Sequence, residues 1–79
     1  MTYRFSGWQA AWMRRIPGCE STWSPLAVSG GGHLGLYQFH PGTWQGTPYG
    51  GRNPLRAKWA ALAAGWMVRQ GRTNEWSCR

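Results

Sequence analysis

The sequence predicts a mainly helical single domain over 1–79, and three observations carry that expectation. Apolar residues recur at three- and four-residue spacing towards both ends of the chain, the stretches between are rich in Pro, Ser and Gly, and only His33 to Phe39 alternates like a short strand. The first helix is read from Trp8, Ala11, Trp12 and Arg15 or Ile16, with Ser6 as N-cap and an interruption at Pro17-Gly18. Proline is tolerated in a first helical turn, so Pro17 is expected to restart the helix. Neighbours on that turn point about 100° apart, which lets Cys19 face the core while Glu20 faces a cleft.

Ser24 to Gly32 reads as a loop, Pro41-Gly42-Thr43-Trp44 as a short helical start, and Gly46 to Arg52 as a second loop. The last helix is the clearest element. Asn53 stands as N-cap, Pro54 takes the first position, Gly71 is the stop, and Leu55, Trp59, Leu62, Trp66 and Met67 form one apolar stripe expected to face the core.

A chain of 79 residues buries only about 60% or a little more of the surface its unfolded form exposes, so its seven tryptophans and any cross-link matter. Cys19 and Cys78 bracket most of the chain. If bonded they close a loop of about sixty residues, worth ~4 kcal/mol in the chain-entropy model; the alternative is two unrelated thiols. Nine Lys and Arg against two Glu, with no Asp, give a formal charge of +7. Such a balance suits a polyanionic neighbour (a bacterial wall, nucleic acid or an anionic membrane) and equally a solvated surface that keeps a Trp-rich chain in solution. No motif for reading nucleic acid is present, so no specific nucleic-acid partner is expected.

No apolar run of eighteen residues exists, so no transmembrane segment is expected, and Met1 to Trp12 has neither the apolar core nor the cleavage site of a signal peptide. A disulfide-bonded chain without such a signal is expected in a virion, after release by lysis, or as a domain cut from a longer exported protein. His33 and His40, seven apart with no Asp nearby, make a poor metal set, and Gly30-Gly31-Gly32 lacks the lysine and hydroxyl of a phosphate loop. Neither metal nor cofactor is expected.

Glu20 is the only carboxylate side chain in the first seventy-four residues. A carboxyl held among apolar and aromatic groups keeps a proton available for a leaving oxygen, because burial disfavours the charged form. Trp23, Tyr37, Gln38 and Trp44 are the aromatic faces and amide that a sugar cleft uses. The plain alternative is an ordinary acid at a helix start, favoured by the dipole.

Cys19-Glu20-Ser21-x-Trp23, then Gly35-Leu36-Tyr37-Gln38-Phe39, then Thr43-Trp44, with Glu75-Trp76-Ser77-Cys78 closing the chain, resembles the transglycosylase-like domain of actinobacterial resuscitation-promoting factors and, more broadly, the lysozyme-like lytic transglycosylases. The resemblance covers roughly Ile16 to Cys78. It implies a compact, mainly α lysozyme-like domain with one disulfide, Cys19 to Cys78, and at most a very short strand or hairpin. It also implies cleavage of the β-1,4 bond between N-acetylmuramic acid and N-acetylglucosamine in peptidoglycan glycan strands. Glu20 would be the catalytic acid, Gln38 and Thr43 would line the cleft near the scissile bond, Trp44 would support it, and Trp23 and Tyr37 would contact substrate.

These expectations place the protein outside the cell or at the cell wall, phage-encoded, and either carried in a virion beside tail proteins or used as a small lysin. A second hypothesis is a cationic Trp-rich wall- or membrane-binding protein without turnover. On mechanism, the only other side-chain carboxylate is Glu75. Because Cys19 and Glu20 point different ways, the chain ending at Cys78 is expected behind the cleft, with Glu75 a surface residue paired to Arg72 or Arg79. Glu20 is then expected to work alone and to give a 1,6-anhydro product.

Overall fold

Helix α1, Gly7–Glu20, begins where Ser6 ends the extended chain, and the Ser6 amide donates to Gln9 Oε1 at 2.9 Å. The computed structural model describes residues 4–76, and its further elements are α2, Pro41–Gln45, α3, Ala57–Arg69, and a 3-10 turn, Thr73–Glu75. Among the described residues there are no strands, only the isolated antiparallel bridges Val28 to Leu34 and Leu34 to Phe39. The architecture is small, compact and mainly helical, as expected.

The expected interruption at Pro17 does not occur, because α1 runs through it. Proline has no N–H for the carbonyl four residues back, which is that of Met13. The Tyr37 hydroxyl fills the vacancy by donating to Met13 O at 2.8 Å. The helix therefore continues to Glu20 with its broken rung repaired from outside.

The core face of α1 is Trp12, Ile16 and Pro17. Residues four apart stack on one face, so Glu20 continues the line from Trp12 through Ile16 to the rim, where it is half-buried, and Cys19 is exposed. This reverses the expected facing of Cys19. The expected partner of Cys19, Cys78, lies outside the described residues.

Helix α3 starts later than expected. Asn53 Oδ1 accepts from the Leu55 amide at 2.9 Å and Asn53 O from the Arg56 amide at 3.1 Å, so Asn53-Pro54 forms a turn of its own and Arg56 becomes the N-cap. The stop at Gly71 is as read. Gly71 has φ +75, its amide donates to Val68 O, and the Arg72 amide donates to Met67 O, the paired bonds of a Schellman ending.

The buried face of α3 is Ala60, Ala63, Ala64, Met67 and Val68, whereas Leu55, Trp59, Leu62 and Trp66 are only half-buried. Small side chains win that face because α1 packs against α3, and alanines allow close approach of two backbones. The bulkier aromatics of the chain fill the space beyond. Trp76 stands edge-on to Trp12 (4.9 Å between ring centres) and to Phe39 (5.5 Å), and Trp44 packs on Phe39 at 5.0 Å. No helix of the described residues is long and apolar enough to cross a membrane.

Candidate functional site

Between the end of α1, the loop before α2 and the 3-10 turn lies a cavity of about 230 Å³, lined by Glu20, Ser29, His33, Gln38, Glu75 and Trp76. A smaller space of about 40 Å³ shares His33, Gln38, Glu75 and Trp76 and adds Thr43 from α2. Of the expected site residues, Glu20 and Gln38 thus share the cavity, and Thr43 lines the adjoining space with Gln38.

Glu20 is the last residue of α1. The helix dipole disfavours an acid at that end by roughly 0.3–1 kcal/mol, so the plain alternative of a helix-start acid does not apply. Its neighbour Ser21 anchors the helix end. Buried Ser21 Oγ donates to Leu36 O at 2.7 Å and lies 3.0 Å from Pro17 O, which ties the turn carrying Glu20 to the loop carrying Gln38. The chain then leaves through two left-handed residues, Thr22 (φ 49) and Trp23 (φ 64).

Gln38 is left-handed as well, with φ 52. Such a conformation in a residue with a Cβ costs on the order of 1–3 kcal/mol and persists only where the surroundings impose it. Here Gln38 Nε2 donates to Ala27 O at 3.1 Å and Gly35 O at 2.9 Å. Both amide protons are spent on the loop, so the side chain offers a ligand its carbonyl Oε1. Gly35 holds the same loop close to Pro54: it has φ +78, and a Cβ there would stand 2.2 Å from Pro54 O.

Ser29 and His33 line the cavity from a tight turn. Ser29 Oγ accepts from the His33 amide at 3.0 Å and lies 3.3 Å from His33 Nδ1, while the His33 ring stands edge-on to His40 at 5.9 Å. His40 Nδ1 accepts from the Gly42 amide at 3.1 Å and so caps α2. Among the described residues no group of three His, Cys, Asp or Glu could hold a metal ion.

Glu75 was expected behind the cleft and instead lines it. The reason lies one residue further on, where Trp76 is drawn into the core and its Nε1 donates to Tyr37 O at 2.6 Å, so the preceding residue is delivered to the rim. The expected ion pair is present, with Arg72 Nε 2.5 Å from Glu75 Oε2.

Trp23 and Tyr37, the expected substrate contacts, and Trp44, the expected support, do not line these spaces. Tyr37 is core: stacked near Trp12, with its hydroxyl on Met13 O, and burial pushes its phenol up to about 12. Trp44 is buried, and its Nε1 donates to Arg52 O at 2.9 Å. Trp23 is 57% exposed and its indole packs over Gly18, outside the residues that line the cavity. Both core aromatics are explained by the size of the domain, which takes large rings for its interior before it can offer them to a ligand. The sequence motifs include Ser21 and Trp76 without indicating a role for them, and Ser29 and His33 carry no site signal of their own there. A signal did exist for the Ser29 turn, a hydroxyl four residues before a histidine across three glycines.

No protein-family model matches this chain, and neither a curated protein nor a solved structure does.

Proposed function

We propose that this domain is a muralytic glycosidase that cuts the β-1,4 bond between N-acetylmuramic acid and N-acetylglucosamine, with Glu20 protonating the leaving oxygen. The observation that carries this reading is the position of Glu20, half-buried at the unfavourable end of α1 and opening into a polar cavity beside Gln38. Delivering a proton to the leaving oxygen is worth roughly 10²–10⁴ in rate. Gln38 Oε1 is suited to accept from a sugar hydroxyl or acetamido N–H, with Ser29 and His33 lining the same cavity and Thr43 in the adjoining space. The charge of +7 favours residence on an anionic wall. A bond between Cys19 and Cys78, a site of action at the wall, and delivery in a phage particle or as a lysin belong to the same proposal.

Digestion of purified peptidoglycan followed by mass spectrometry tests it. Fragments in which the sugar newly cut at C1, reducing or anhydro, is always muramic acid support the reading; N-acetylglucosamine alone at that end, or no fragments, contradict it.

The exposed apolar surface favours a second reading, a wall- or membrane-binding protein without turnover. Trp8, Trp23, Leu26 and Val28 are each more than half exposed, and exposed tryptophan with cationic charge suits an anionic interface. Binding without cleavage by the wild-type protein would select it.

A further inference from the structure

We propose that Glu75 is the second carboxylate of the reaction and that the domain hydrolyses its substrate by inversion, which rests on the muralytic reading above. The chain contains two acidic side chains in all, and folding brings both from opposite ends of the sequence to one cavity. Glu75 is held there by firm neighbours. Trp76 beside it is 5% exposed and bonded to Tyr37 O, and Arg72 Nε sits 2.5 Å from its Oε2. Trp76 fixes the backbone at Glu75, and the Arg72 pair holds its carboxylate at the cavity.

Both acids line the cavity of about 230 Å³, which has room for a water beside them, since one needs only roughly 10–15 Å³ of such volume. An inverting glycosidase uses that arrangement, with an acid on one side of the sugar and a base for water on the other. Glu20 gives its proton to the glycosidic oxygen as the bond to the muramoyl C1 breaks. The oxygen of the water bonds C1 from the opposite face, and Glu75 takes the proton that this water loses. Glu20 is left as carboxylate and Glu75 as carboxylic acid, and exchange of one proton with solvent restores both. The products are two hydroxyl-ended sugars, and no 1,6-anhydro ring forms.

The test combines product analysis with substitution of Glu75 in the full chain. Wild-type digestion of purified peptidoglycan is expected to yield reducing-end muramic acid that appears first as the α anomer by proton NMR. Glu75→Gln is expected to lower the rate about 100-fold with an unchanged denaturation midpoint, and added azide is expected to restore turnover to Glu75→Ala as a glycosyl azide. Anhydro-muramic products from the wild type, or full activity in Glu75→Gln, overturn this inference while leaving the muralytic reading intact. Absence of any cleavage by the wild type overturns both.

Discussion

The Tyr37 hydroxyl donates to Met13 O at 2.8 Å, the carbonyl that Pro17 has no N–H to reach. A side chain twenty-four positions away thus completes the helix that carries Glu20 to the cavity. Tyr37→Phe leaves that carbonyl without a donor and is expected to cost ~1–3 kcal/mol. In a Pro17→Ala background the new amide can reach Met13 O, so the same change is expected to cost about 1 kcal/mol less. Denaturant unfolding of the four proteins measures this, and simple additivity would show that the two residues do not share the carbonyl.

The alkaline limb of stability follows from the same phenol. Burial raises Tyr37 from 10.0 to about 12, so the fold favours its neutral form. That contribution is full below pH 10 and is lost as pH rises from 10 towards 12, because in this window the unfolded state binds fewer protons than the folded one. It amounts to on the order of 2–3 kcal/mol. The denaturation midpoint of wild type should fall more steeply across that window than that of Tyr37→Phe; parallel curves would contradict the assignment.

Gly35 gives a sharper contrast. Its φ of +78 and the 2.2 Å approach of Pro54 O to an added Cβ leave no room for alanine, so Gly35→Ala is expected to destabilise by at least ~3 kcal/mol and to disturb the Gln38 loop. Gly30→Ala meets nothing within 4 Å and should stay within about 0.5 kcal/mol of wild type. Equal midpoints for the two variants would count against the tight contact between this loop and Pro54.

Local signals were legible where the cause is local. Ser6 starts α1 and Gly71 ends α3 because a helix end is satisfied by its own neighbours. Pro17 misled because its remedy, the Tyr37 hydroxyl, is distant in sequence. On α3 the period was right and the phase was off by about one residue, since apolar size alone does not reveal that α1 packs on the alanines. In the site, Glu20 and Gln38 stand out by rarity and by motif, whereas Glu75 reaches the cavity only because Trp76 is anchored in the core.

Wall clearing by Glu20→Gln tests the central claim most directly. The substitution keeps the shape of the side chain and removes the acidic proton, so the variant should unfold within about 0.5 kcal/mol of wild type and still sediment with purified walls. Its clearing rate should fall by at least ~100-fold. A folded Glu20→Gln protein that clears walls at the wild-type rate would contradict the assignment of Glu20 as the acid.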